Sequence, residues 1–132
     1  MTYSPTAMTM YHAHRQLPVS SNGNRTDAAR PRLLLVDDDA RLCETLAAGL
    51  DARGFDVEIA GSAREASLRM NGIAPRYAIL ALRLPDGSGL GLISQLSRLC
   101  PSPRIVVLTA FPSIRTAVEA IKLGAADYLA KP

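Results

Sequence analysis

An open α/β fold built on a five-stranded parallel sheet is the fold class this sequence predicts, and three observations predict it. Short β-rich runs alternate with amphipathic stretches at regular spacing from residue 32 onward, the pattern of repeated βαβ units. The first run, Leu33-Leu34-Leu35-Val36, is apolar without interruption, as a parallel strand covered on both faces is. At 132 residues and 48% hydrophobic, the chain has material for one ordinary globular domain and little else.

The elements follow in order. The first strand ends in Asp37-Asp38-Asp39, and Asp39 is placed to cap a helix with Leu42, Leu46 and Leu50 on one face and Gly54 as its stop. Asp56 to Ala60 reads as the second strand. Ser62 with Glu65 three residues later is a capping-box signature for a helix reaching about Asn71. Tyr77 to Leu82 is the third strand, Gly89 to Leu99 a helix with Leu92, Leu96 and Leu99 inward, and Arg104 to Leu108 the fourth strand. Ser113 caps a helix carrying Val118, Ile121 and Leu123; Asp127 to Ala130 is the fifth strand, followed by Lys131-Pro132.

Residues 1–31 differ in kind: rich in Ser, Thr, Asn and Pro and without an apolar period, they read as a disordered tail. The net charge of +3 sits in residues 1–32, since Arg15, Arg25, Arg30 and Arg32 face only Asp27, and the remaining chain is balanced at eleven basic and eleven acidic residues. A solvated tail explains four dispersed arginines better than a nucleic-acid site does, and His12 and His14 belong to the same tail. Cys43 and Cys100 have no metal-ligand spacing and read as reduced, half-buried helix residues. No apolar run approaches the ~18 residues of a membrane span and no leader is evident, so a soluble cytoplasmic protein is expected.

In an open parallel sheet, ligands bind beyond the carboxyl ends of the strands. Those ends carry Asp37 and Asp38, then Ala81, Thr109 and Lys131. Two carboxylates suit a hard cation such as Mg²⁺, while a lysine and a threonine hydroxyl suit phosphoryl oxygens. Each residue also has an ordinary reading: a strand-to-helix turn for the aspartates, a strand terminus for Thr109, a half-exposed strand residue for Tyr128, and turn formation for Pro85, Gly87 and Gly89. It is the three strand ends in register that favour a site.

LLLVDDD, RLPDGSG, VVLTA and DYLAKP, in this order and at this spacing, resemble the receiver domain of two-component response regulators over residues 32–132. RGFDVEIA, YAILALRL and AVEAIKLGAADYLAKP are most similar to the redox-responding RegA/PrrA/ActR group. The resemblance implies a flavodoxin-like (CheY-like), doubly wound sheet of strand order 2-1-3-4-5. It also implies Mg²⁺ held by Asp37, Asp38 and the backbone carbonyl of Arg83, a phosphoacceptor at Ala81, charge neutralisation by Lys131, and Thr109 with Tyr128 as switch residues. The family has an aspartate where this chain has Ala81, so the resemblance implies a receiver that takes no phosphoryl group and binds Mg²⁺ weakly. A naturally phosphorylation-independent receiver and an Asp→Ala change both account for Ala81; the presence of every other part favours the second. The implied partners are a sensor histidine kinase and a downstream DNA-binding domain that is not among these residues, with no membrane partner.

Two rivals come from other classes. A Mg²⁺-dependent phosphohydrolase with Asp37 as nucleophile accounts for Asp39, but Arg41 stands where such enzymes carry threonine or valine. A flavin module needs a phosphate-cradling loop, and the acidic DDDARL repels phosphate. In the resembling family a fifth helix follows the fifth strand, whereas this sequence stops at Pro132. One sheet face is then expected to lack cover and to drive a homodimer or a domain-exchanged oligomer.

Overall fold

The apolar run after Pro31 forms β1 (Arg32–Val36), which lies between β2 (Asp56–Ala60) and β3 (Tyr77–Leu80) in a parallel sheet continued by β6 (Arg104–Thr109) and β7 (Asp127–Ala130). The order β2-β1-β3-β6-β7 is the 2-1-3-4-5 order expected. The computed structural model describes residues 30–132; the predicted tail, with His12 and His14, otherwise lies outside the described residues. Arg30 spans from Asp51 Oδ1 (2.6 Å) to the carbonyl of Phe55 (2.7 Å), and buried Pro31 accepts the N–H of Asp56 at 2.8 Å. Both residues are thus tied to the sheet.

Side chains alternate across the strands, so the sheet has two cores. Leu34, Val36, Ala78, Leu80, Ile105 and Val107 face α2 (Ala63–Ile73), α3 (Leu90–Leu99) and α4 (Ile114–Leu123), and all six are fully buried. Leu33 and Leu35 face the other way, against Cys43 of α1 (Ala40–Ala52), Phe55 and Tyr77. On that face α1 is the one covering helix among the described residues, and Ile79, Leu108 and Leu129 are only partly buried. No described helix is long and apolar enough to cross a membrane.

The helix ends are set by the residues predicted to set them. Asp39 accepts from Leu42 N–H, Ser62 from Glu65 N–H and Ser113 from Thr116 N–H, each at 3.1 Å, and Gly54 and Gly124 take positive φ beyond α1 and α4. Four details depart from the expectation. β3 ends at Leu80, with Leu82 beyond it, and β4 (Arg83–Leu84) pairs antiparallel with β5 (Gly87–Ser88) in a short ribbon that the sequence had presented as a loop. Leu99, expected inward, is 44% exposed at the end of α3. Val118 and Ile121 of α4 are about half exposed, because the residue which that helix fully buries is Ala120. Both cysteines are buried and free, beyond the half-burial expected of them.

Candidate functional site at the carboxyl end of the sheet

The predicted residues converge. Asp37 continues β1 by donating its N–H to the carbonyl of Ala60 (3.1 Å), and Ala81 continues β3 by donating to Val36 (2.8 Å), so the two stand side by side. Lys131 continues β7 by donating its N–H to Thr109 (2.8 Å). Asp37, Ala81 and Thr109 are at most 4% exposed. The strands therefore deliver a buried carboxylate, a methyl group and a hydroxyl to one place.

Asp37 is fully engaged. Its Oδ2 lies 2.8 Å from Lys131 Nζ, and its Oδ1 accepts the N–H of Asp39 at 3.0 Å. A buried carboxylate needs such compensation, and here a lysine that is itself mostly buried provides it. Behind the carboxylate, Cys43 donates its thiol to the carbonyl of Asp37 at 3.4 Å. Burial, reinforced by the charges of Asp37 and Asp39, pushes that thiol up to about 11. Cys43 is thus a neutral packing residue, as expected.

The loop after β3 is held by contacts that local turn propensity does not reveal. A Cβ on Gly89 would lie 2.0 Å from the carbonyl oxygen of Ala81, while the N–H of Gly89 donates to Leu82 at 2.8 Å. Gly89 is there for close backbone approach and not for a turn. Asp86, between β4 and β5, accepts the N–H groups of Ala63 (2.8 Å) and Arg64 (2.9 Å) at the start of α2. Those bonds lower its pKa. The sequence signal for Asp86 was an acid in a turn, which says nothing about the distant helix it reaches.

Thr109 accepts the N–H of Phe111 at 3.0 Å through its Oγ1, which keeps its own proton available to donate. Phe111 lies under the guanidinium of Arg83, 4.0 Å from ring centroid to Cζ. Together with Leu82, Leu84 and Ser88 these residues line a cleft of about 460 Å³. Tyr128 packs against the larger core, and its hydroxyl accepts from Ser113 N–H (3.1 Å) and bonds the Thr116 hydroxyl. It is held inward, against the start of α4.

As a cation site the arrangement is thin. Asp38 is exposed, Asp39 is committed to its helix cap, and Ala81 offers no side-chain oxygen. Among the described residues no group of three His, Cys, Asp or Glu side chains could hold a metal. Asp37, Asp38 and a backbone carbonyl such as that of Arg83 suit a hard ion that keeps most of its waters, so the residues fit Mg²⁺ in reduced number.

A family model described as the response regulator receiver domain matches residues 33–132. The acid tolerance regulatory protein ActR of Rhizobium meliloti is 48% identical over 100 residues, which is 76% of this chain and 52% of that protein. The photosynthetic apparatus regulatory protein RegA of Rhodobacter capsulatus is 47% identical over 100 residues, 76% of this chain and 54% of that protein. Among solved structures, a response regulator from Burkholderia pseudomallei, containing a phosphorylated aspartic acid, a calcium ion and citrate, superposes with a TM-score of 0.74. It is 42% identical and covers 77% of this chain and 60% of its own. The chain spans about half the length of the curated relatives it matches. These matches are to signalling regulators, and the phosphohydrolase reading with Asp37 as nucleophile finds no support in them.

Proposed function

Because the chain belongs to the response regulator receiver domain family, we propose that it is the receiver of a transcriptional regulator of the ActR and RegA kind whose phosphoacceptor position, Ala81, is blank. The observation that carries this reading is the meeting of the buried Asp37–Lys131 pair (2.8 Å), Thr109 and Ala81 at the carboxyl ends of four strands. A carboxylate at 81 would attack the phosphorus of a sensor kinase's phosphohistidine, forming an acyl phosphate as the P–N bond breaks. A methyl group has no lone pair with which to attack. Lys131 would neutralise a phosphoryl oxygen in a phosphorylated receiver, and here it pairs with Asp37.

The switch is read in the same terms. In this reading the hydroxyl of Thr109 would close on a phosphoryl oxygen, and Tyr128 would change partners with α4. With nothing at 81 to draw Thr109 away from Phe111, the domain keeps one state. Asp37, Asp38 and the carbonyl of Arg83 would hold Mg²⁺, which supplies charge neutralisation during phosphoryl transfer. With the third carboxylate missing, affinity is low. The module is a cytoplasmic signalling unit and not an enzyme, with a sensor histidine kinase and a DNA-binding effector domain as its partners. The thinly covered face at Ile79, Leu108 and Leu129, and the exposed Ile114, Val118 and Ile121 of α4, support a homodimer or a domain-exchanged oligomer. Sedimentation at micromolar concentration should show a species larger than a monomer.

The test of function is incubation with a small phosphodonor and Mg²⁺, followed by intact mass. The chain should stay unmodified and should release no phosphate from simple phosphomonoesters. A stoichiometric phosphoprotein, or sustained turnover abolished by Asp37→Ala, would overturn the reading.

A further inference from the structure

The cleft beside the site is lined by the ribbon of β4 and β5 and by the turn from β6 into α4. Its volume of about 460 Å³ falls in the range of small-ligand sites. Buried Leu82 and Leu84, together with Leu90, supply an apolar lining, and the ring of Phe111, 59% exposed, stands open to it. No Asp or Glu lines the cleft.

Two of its polar groups are donors left without an acceptor. Arg83 stacks on Phe111, 4.0 Å from ring centroid to Cζ, an arrangement that occupies the face of a guanidinium and leaves its N–H edge free. Through that edge Arg83 forms neither an ion pair nor a hydrogen bond among the described residues. Thr109, 2% exposed, accepts the N–H of Phe111 at 3.0 Å, yet no described group accepts the proton of its own hydroxyl. A buried hydroxyl without an acceptor is an uncompensated cost, and Ala81 carries no phosphoryl oxygen to relieve it. The electrostatic sign agrees, because Leu90 opens α3 and Ser113 caps α4 at the same cleft, and helix N-termini favour negative charge.

We propose that this cleft binds a small organic carboxylate with a flat apolar body, the carboxylate taking the Arg83 fork and the Thr109 hydroxyl while the body lies against Phe111 and the three leucines. The inference rests on the reading of Ala81 as a blank acceptor position, since a phosphoryl group there would compete for Thr109. One guanidinium and no lysine line the cleft, which suits a monoanion better than a phosphate dianion, and paired N–H donors match the two oxygens of a carboxylate. Ser113 and Thr116, both bonded to Tyr128, line the same cleft. Occupancy therefore reaches the start of α4, and a receiver that takes no phosphoryl group would take its input from a small acid instead.

The test uses the full chain, with 2-naphthoate as the probe and amide chemical shifts in ¹H–¹⁵N spectra as the readout. A ligand of about thirteen non-hydrogen atoms should bind with a dissociation constant of roughly 0.1 to 1 mM, and the amides of Ser88, Phe111 and Ser113 should move most. Arg83→Gln should weaken binding by about tenfold or more, through loss of a charge-assisted bond. Thr109→Val should weaken it several-fold, and Thr109→Ser, which keeps the hydroxyl, should restore it. The neutral isostere 2-naphthalenemethanol should bind about tenfold more weakly than the acid. Equal binding of the alcohol, parental affinity in Arg83→Gln, shifts centred elsewhere on the domain, or no shift at about 10 mM probe would each overturn the proposal. Displacement of the probe by equimolar inorganic phosphate would do the same, by identifying a phosphoryl-oxygen site. Phosphorylation of an Ala81→Asp form is read separately, so either result stands without the other.

Discussion

The two ends of the central strands, roughly 17 Å apart along five residues, are built on opposite plans. At the carboxyl end, polar groups are buried and interlocked: Asp37 is held by Lys131 and Asp39, and Gly89 rests on the carbonyl of Ala81. At the amino end, Arg32, Arg76 and Arg104 are exposed, and among the described residues Arg76 and Arg104 form no ion pair. The difference teaches where chemistry and stability are coupled. Changes at the first end should cost folding energy, whereas changes at the second should alter what the surface attracts and little else.

The sharpest break in that contrast comes from glycine. Gly89→Ala should destabilise the domain by about 3 kcal/mol, since the new methyl meets backbone and not a flexible side chain. Gly91→Ala, two residues on in α3 with nothing within 4 Å, should stabilise by about 0.5 to 1 kcal/mol. Urea midpoints of the two variants measure both. Arg76→Gln or Arg104→Gln should stay within about 0.5 kcal/mol of the parent.

Charge at the carboxyl end is the next lever. Lys131→Met removes the partner of a buried carboxylate and should cost about 2 kcal/mol, less than a wholly buried pair because Lys131 remains partly wet. Ala81→Asp should cost the metal-free domain about 1 kcal/mol, because it adds a carboxylate beside Asp37. Millimolar Mg²⁺ should recover that loss in the aspartate form and give little to the parent, as melting curves with and without metal will show. A less stable parent than its aspartate form, without metal, would contradict the charge argument.

Smaller effects refine the picture. Tyr128→Phe removes the hydroxyl that joins β7 to Ser113 and Thr116 and should cost about 1 kcal/mol. Cys43 gives a pH signature. Its folded pKa is raised from 9.0 to about 11, so above pH 9 the unfolded chain releases a proton that the folded chain retains. Stability should fall as pH rises through that window, and Cys43→Ser should flatten the decline. Thiol reagents at pH 8 should label the native protein only as fast as it opens.

The sequence revealed the alternation of strands and helices because buried parallel strands and capped helices write their periods plainly; Leu33 to Val36, Asp39, Ser62 and Ser113 each do in space what their spacing implied. The convergence of Asp37, Thr109 and Lys131 was legible too, since strand ends in an open parallel sheet must gather. The ribbon of β4 and β5 was not, because two-residue strands leave no period. Leu99, Val118 and Ile121 carried the helical period of a core face yet lie half exposed, since a period marks an apolar side and not what covers it. The role of Asp86 required knowing that its turn lies against the start of α2.

The central claim is that the carboxyl end of the sheet is a phosphoacceptor site lacking one carboxylate, and radiolabel transfer from a small phosphodonor in Mg²⁺ tests it most directly. Ala81→Asp should acquire an acid-labile phosphoryl group where the parent acquires none, and adding Lys131→Met or Asp37→Asn to that variant should abolish the gain. Label on the parent, or an Ala81→Asp form that folds yet stays unlabelled, would contradict it.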